Sequence, residues 1–295
     1  MVSWPRIVGI CGAGMMGSGI GARLVEGGLR VLTVTRSGRH ENLDELGIED
    51  VGSVDRLVAE ADVILSVMGS VDAPAFAGQV ADALVRGRRA DLVFAECNLL
   101  DPGVSRDIDA QLSALGVRVV DAGICGAPPR PGHAPTVFTS GAHVDALEFL
   151  RDHGFDVWQV GGEIGAATTL KVLSAAGWQG SVALMSSVLV AAHRHGLSEW
   201  LLRDLEQHQA ALFSWFAPAL LDATGKARRW APDMEVVARL LASSGASSAH
   251  HEAAAELYRA LGRVDIDAGD EPYDVVVALD RILADQAAAE RGSSR

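Results

Sequence analysis

The chain is 295 residues long, 49% hydrophobic, and carries 38 acidic against 25 basic side chains, a formal charge of −13. The length favours two domains over one, and the acidic balance argues against phosphate-backbone binding as the main task, since nucleic-acid binders present a basic face. Three cysteines, Cys11, Cys97 and Cys125, are widely spaced and odd in number, which argues against a disulfide framework or a zinc site and fits a reducing cytoplasm.

The N-terminal half alternates β-rich runs with helical stretches. Residues 6–11 (RIVGIC) read as a strand that leads at once into a glycine-rich loop, with no n-region or cleavage site of a signal peptide. A helix follows from about Met15 to Glu26, then a strand at 30–35, a helix at 53–61 and a strand at 62–68 (DVILSVM). Next come a helix at 73–87, a strand at 91–97 (DLVFAEC), a helix at 105–116, strands at 117–124 (VRVVDAGI) and 135–141, a helix at 143–154 and a strand-like run at 156–161. This alternation indicates βαβ units and a largely parallel, doubly wound sheet of the Rossmann type.

Beyond Gly162 the pattern changes. From about Ala166 to Ala260 it is almost entirely helical, with apolar residues three and four apart and Gly177, Gly180, Gly196, Pro218 and Pro232 as punctuation. The expected organisation is an α/β domain over residues 1–162 and an all-α domain over 163–295. The longest apolar run, residues 180–196, is short and broken by Ser and His, so no membrane span is expected.

Gly12, Gly14 and Gly17 form a G-x-G-x-x-G pattern. Alone this is weak in a chain with 32 glycines, but here it follows a strand and opens a helix, as a dinucleotide-binding fingerprint requires. Gly12 permits the tight turn, Gly14 lets the backbone approach a pyrophosphate, and Gly17 lets helix and strand pack closely. Met15 and Met16, the first helical residues, join them as cofactor-binding candidates. At the end of the second strand an NAD site places a carboxylate for the ribose hydroxyls. This chain has Arg36, Ser37 and Arg39 there, and no carboxylate before Glu41. Two guanidiniums and a hydroxyl suit a 2′-phosphate, so the expected cofactor is NADP(H).

Of the 25 basic residues only Lys171 and Lys226 are lysines. Lys171 sits among small and apolar residues, where a cation is costly to bury unless paired or used. Lysine can release a proton near neutral pH when its surroundings favour that, whereas arginine cannot. Lys171 is therefore a candidate for proton transfer, against the plainer reading of a surface lysine on a helix.

Three stretches in order, GICGAGMMGSGIGARL, VVDAGICGAPPRPG and GEIGAATTLKVLSAA, resemble the β-hydroxyacid dehydrogenase family, relatives of 3-hydroxyisobutyrate and 6-phosphogluconate dehydrogenases. The details DAGICGAPPRPG and GKARRWAPDMEVVARLL resemble a less characterised phosphogluconate dehydrogenase-like branch with its own type of C-terminal domain. The resemblance implies that Lys171 is the catalytic acid in reduction and base in oxidation, on a helix linking the domains and facing a cleft over the nicotinamide. It implies that Cys125, Gly126 and Ala127 contact the substrate carboxylate, that Asn98 lies beside the nicotinamide and that Met68 lies along the cofactor. It also implies a homodimer acting on a small, anionic substrate.

The departures are as informative. The family asparagine four residues after the lysine is Ala175, and the loop's usual Pro, Ser and final Gly are Gly123, Cys125 and Ala127. Trp178 and Gln179 are candidates to line the same pocket in place of the missing asparagine. The expected activity is NADP(H)-dependent interconversion of a small hydroxy acid, or related alcohol, and its oxo form. Two alternatives stand beside it: imine reduction on the same architecture, where the lysine position usually holds another residue such as Asp or Tyr, and non-catalytic NADP(H) binding. The pairs His193/His195 and His250/His251 lack the carboxylate or cysteine companions of a metal site and read as helix-surface or C-terminal-turn residues. The basic run at Lys226–Trp230 reads as a solvated face or as a reach toward an anionic group.

Overall fold

A computed structural model describes residues 5–35, 42–87, 89, 91–263 and 275–284. It divides into two compact units, Met1–Val172 and Leu173–Arg295.

The first unit is an α/β layer structure. Its strands are β1 (Ile7–Cys11), β2 (Arg30–Thr33), β3 (Ile48–Asp50), β4 (Val63–Ser66), β5 (Val93–Glu96), β6 (Arg118–Cys125), β7 (Thr136–Ser140) and β8 (Asp156–Gly161). They form one eight-stranded sheet in the order β3-β2-β1-β4-β5-β6-β7-β8. Every pairing is parallel except β6 with β7, which is antiparallel with Asp121 opposite Ser140. Helices α1 (Met15–Glu26), α2 (Val54–Glu60), α3 (Ala73–Gly87), α4 (Pro102–Ser113) and the short α5 (Phe149–Asp152) connect the strands.

A parallel sheet covered on both faces needs strands that are apolar throughout, and β4 and β5 are buried at every position. Successive side chains feed two cores. Val63 and Leu65 pack with Val8, Ile10 and Leu24 on one face, whereas Ile64 packs with Leu57, Phe76, Val80 and Leu112 on the other. Each such buried aliphatic contributes about 1.5–3 kcal/mol.

Two local differences from the expected elements have identifiable causes. Helix α4 begins at Pro102 rather than Ser105, because the Asp101 side chain caps it by accepting from Gly103 N at 2.8 Å and proline fits the first turn. The three-residue β3 carries too little pattern to be read from sequence and is defined by its pairing with β2.

The second unit is helical: the greater part of α6 (Ala166–Arg194), then α7 (Ser198–His208), α8 (Ala210–Ser243), α9 (Ala249–Leu261) and a further helical stretch at 275–284. Of the five expected breaks only Gly196, at φ 68°, falls between helices. Pro218 and Pro232 stay inside α8, each at the loss of one backbone hydrogen bond. Buried Phe216, Ala219 and Leu220 around the first, and Trp230, Ala231 and Met234 around the second, hold the helix together. Gly180 lets α9 approach α6, since a Cβ there would lie 2.7 Å from His251 Nε2. The ring nitrogens of His250 and His251 lie 2.9 and 3.2 Å from the carbonyls of Gly180 and Ala176, so this pair makes helix–helix contacts rather than decorating a surface.

The first turns of α6 belong to the first unit, which places the division ten residues later than the composition change at Gly162. Asp121 of β6 is the reason. Its Oδ2 accepts from Gly165 N at 2.8 Å, Thr168 N at 3.1 Å and Ser140 Oγ at 2.8 Å, and its Oδ1 accepts from Thr168 Oγ1. Ser140 Oγ in turn accepts from Ala167 N at 3.0 Å. The free N–H groups of a helix start are thus bound to the sheet. By length and composition the 29-residue α6 would suffice to cross a membrane, contrary to the sequence expectation. In the fold it is partly core, with 39% of its most apolar window buried.

Candidate active site

The glycine loop joins the end of β1 to α1 at the point where strand order reverses between β1 and β4. Open α/β sheets bind ligands at such a point, outside the carboxyl ends of the strands. Gly12 has φ 96°, and a Cβ there would run into the carbonyl of Val67 just after β4. A Cβ on Gly17 would run into the carbonyl of Gly12. These two glycines are required by the backbone itself. Gly14 differs: a Cβ there would meet none of the described residues within 4 Å. It is the N-cap of α1, with no side-chain cap and no acidic residue in the first turn. An open approach to an uncapped helix start fits a pyrophosphate, which would take the free N–H groups and the positive end of the dipole. Met15 is 69% exposed beside it, and Met16 is partly buried against the sheet core.

Arg36, Ser37 and Arg39 lie outside the described residues. Just before them Thr35 donates its hydroxyl to Asp50 Oδ2, and Asp50 Oδ1 accepts from Gly52 N at 2.9 Å. This carboxylate at the end of β3 was not expected near the end of β2, and both of its oxygens are engaged by the chain itself.

Beyond β4 and β5 the two strand ends are cross-linked. Asn98, 2% exposed, accepts from Met68 N through Oδ1 at 2.5 Å. Its Nδ2 donates to Ser66 Oγ at 2.9 Å and to Glu96 Oε1 at 2.5 Å. Both amide donors are therefore committed inside the fold, and the side chain acts as a tie between the loops after β4 and β5. Met68, expected along the cofactor, is held in place by that tie.

Lys171 projects from the start of α6, partly buried, and its Nζ donates to the carbonyl of Cys97 at 2.7 Å. A Cβ on Gly123 would lie 2.9 Å from Lys171 Cβ and 3.1 Å from the carbonyl of Ala167. The glycine that replaces the family proline thus gives α6 its close seat on β6. Gly123→Ala is expected to push the root of Lys171 by some tenths of an ångström. Overpacking of this kind costs about 1–3 kcal/mol, and a misplaced reactive group loses up to about 10²-fold in rate. Thermal denaturation alongside any assay of turnover would read both, and a variant identical to wild type in both would remove the close-seat account.

These contacts are continuous. Gly12 abuts Val67, Met68 bonds Asn98, and Cys97, next in sequence to Asn98, bonds Lys171, so the glycine loop and the lysine share one edge of the sheet. Cys125 ends β6 half-buried, while Gly126, at φ 114°, and Ala127 are exposed in the loop that follows. Burial pushes the Cys11 thiol up to about 12 and raises that of Cys97 as well, so neither is a ready nucleophile.

Ala175 and Trp178 follow Lys171 on α6 and lie in the second unit. Trp178 is 45% exposed and stacks on Trp215 of α8, ring centroids 4.6 Å apart. Gln179 is buried in the helical core, with its side-chain amide nitrogen 3.4 Å from Asp233 Oδ2 and its backbone carbonyl accepting from Tyr258 Oη at 2.7 Å. In the basic run, Lys226 pairs with Asp222 at 2.7 Å, Arg228 donates to the Gly262 carbonyl at 2.6 Å, and Trp230 is buried against Tyr258. Among the described residues no group of three His, Cys, Asp or Glu side chains is placed to hold a metal.

Residues that sequence reading passed over complete the site. Asp121 anchors the start of α6. Glu96 and Ser66, at the ends of their strands, are buried beside Asn98. The available signal was an acid inside an apolar run, in VRVVDAGI and in DLVFAEC, which demands a buried partner.

Comparison with known proteins agrees with this architecture. Residues 7–152 match the NAD binding domain of 6-phosphogluconate dehydrogenase, and residues 192–261 match a domain of unknown function, DUF1932. Among solved structures, a 3-hydroxyisobutyrate dehydrogenase from Salmonella typhimurium superposes with a TM-score of 0.71 at 20% identity, over 92% of this chain and 99% of the other. A conserved hypothetical protein from Sinorhizobium meliloti 1021 gives 0.64 at 20% identity, over 94% and 96%. An imine reductase from Pseudomonas sp. gives 0.59 at 18% identity, over 95% and 100%. At these identities the likeness concerns the fold. The chain thus joins a region similar to the NAD binding domain of 6-phosphogluconate dehydrogenase to a region similar to DUF1932.

Proposed function

We propose that the protein is an NADP(H)-dependent oxidoreductase that interconverts a small, anionic hydroxy acid and its oxo form, with Lys171 as the acid–base group. The observation that carries this reading is the continuous set of contacts from the dinucleotide loop at Gly12 to the Lys171 ammonium. Gly12, Gly14 and Gly17 with the start of α1 would hold the pyrophosphate, and Arg36 and Arg39 the 2′-phosphate. When bound, the cofactor supplies a hydride to the carbonyl carbon. Lys171 donates a proton to the carbonyl oxygen as the alcohol forms and is left as the neutral amine; in oxidation the amine takes the hydroxyl proton. Cys125, Gly126 and Ala127 offer an exposed loop for the substrate carboxylate. The three widely spaced cysteines, odd in number, support a cytoplasmic setting. Exposed Leu173, Trp178, Leu184 and Val188 along α6 support a homodimer, expected as twice the chain mass in light scattering.

The test is absorbance at 340 nm with NADPH and with NADH, against short 2- and 3-oxo acids, aldehydes and cyclic imines. Oxo-acid or aldehyde turnover, faster with NADPH, is the expected result. Turnover confined to imines would replace this reading with imine reduction. NADPH binding without any turnover favours a binding protein, and equal use of NADH would remove the 2′-phosphate assignment.

A further inference from the structure

Glu96 closes β5 and is 1% exposed. Its Oε1 accepts from Asn98 N at 2.9 Å and from Asn98 Nδ2 at 2.5 Å, and the Ser66 hydroxyl also bonds to the carboxyl. Its Oε2 is buried and has no hydrogen-bond partner among the described residues. A buried carboxylate with one bare oxygen is held at a cost unless an opposite charge stands near it. The cation that faces it is Lys171, which reaches from α6 to the carbonyl of Cys97, the next residue after Glu96. The other titratable groups facing this corner are the Cys97 thiol and Asp121 of β6. Burial raises the thiol, and the Asp121 oxygens are taken up by Ser140, Gly165 and Thr168. Glu96 is thus an acid placed to balance the lysine.

We propose that Glu96 is a positioning residue for Lys171: its buried charge keeps the neighbouring ammonium protonated and seated on the Cys97 carbonyl, so that the lysine meets the substrate as an acid. This rests on Lys171 being the proton donor and adds the group that holds it in that state. Burial pushes the Glu96 carboxyl up to about 7, against the opposing effect of the bonds from Asn98 and Ser66 and of the Lys171 charge. As pH rises through that range Glu96 ionises, and its hold on the lysine proton strengthens where it is needed.

Glu96→Gln keeps an oxygen for the Asn98 and Ser66 donors and removes the charge. In reduction, the basic limb of the kcat/KM profile is expected to move down by about one pH unit, the size of shift that loss of a nearby opposite charge produces. A uniform loss of rate with an unmoved profile would mean a structural role only and overturn the proposal. A second arm needs no substrate: the carbon-13 resonance of the Glu96 carboxyl is followed against pH in wild type and in Lys171→Met. Removing the cation is expected to raise the Glu96 midpoint by about one pH unit or more, and an unchanged midpoint overturns the coupling even if Glu96→Gln does not fold. The arms separate the two ideas. Wild-type turnover by Lys171→Met would remove the proton-donor reading, whereas an unmoved Glu96 midpoint removes this proposal alone.

Discussion

Lys171→Met is expected to lower kcat by about 10²- to 10⁴-fold, the usual contribution of a positioned acid–base group, while NADPH affinity stays at its wild-type value. Methionine preserves the packing of the stem against Gly123 and removes the donor to the Cys97 carbonyl. The glycine loop, which would hold the phosphates, is anchored on Val67 and not on the lysine. Lys171→Arg sharpens the test. A guanidinium keeps the charge and the bonding capacity but does not release a proton near neutral pH, so this variant is expected to remain near the Met level. The checks are single-turnover rates at saturating NADPH and cofactor titration by fluorescence. A rise in KM with an unchanged kcat would make the lysine a binding group instead of an acid.

Asp121→Ala is expected to cost about 3–5 kcal/mol of stability, the range for breaking a buried charged network. Four donors converge on this carboxylate: Ser140 Oγ, Gly165 N, Thr168 N and Thr168 Oγ1. Alanine leaves Ser140 Oγ, Gly165 N and Thr168 N without this acceptor where water does not reach, while the Thr168 hydroxyl can turn to Ser105 Oγ at 3.0 Å. Asp121→Asn retains one acceptor oxygen but turns an NH2 group toward donors, so a loss of about 2 kcal/mol is expected. Urea denaturation followed by far-ultraviolet circular dichroism gives both values. Because α6 starts on Asp121, its first turns should loosen with it and Lys171 lose its seat, so activity should fall even where the Asn variant is folded. A loss below about 1 kcal/mol for the Ala variant, the size of one ordinary hydrogen bond, would show that the anchor lies elsewhere.

The glycine loop and the lysine of the candidate site are both legible in the sequence. The glycine loop could be read because most of its demands are local: Gly12 takes a positive φ, and Gly17 is excluded from carrying a side chain by the Gly12 carbonyl in the same turn, while the close approach of Gly12 to Val67 comes from the sheet. Lys171 stood out because a chain that otherwise writes its cations as arginine, apart from Lys226, places it among small residues. Strand and helix alternation followed from apolar periodicity. The reading faltered where local pattern was weak or contradicted. Three residues of β3 hold no periodicity, and Pro218 and Pro232 signalled breaks that buried neighbours on α8 override.

The sequence by itself determined a dinucleotide-binding α/β half and a helical half, and it marked Lys171 as a candidate, because backbone sterics, hydrophobic periodicity and side-chain chemistry act over a few neighbouring residues. Only the tertiary structure decided what surrounds that lysine. Asn98 meets Met68 across 30 positions, Lys171 meets Cys97 across 74, and Asp121 meets Thr168 across 47. Those pairings exist because the order of β4, β5 and β6 in the sheet, and the seat of α6 on Gly123, bring distant polar groups into one dry corner. There, burial turns Glu96 and Asp121 from ordinary surface acids into groups that must find partners.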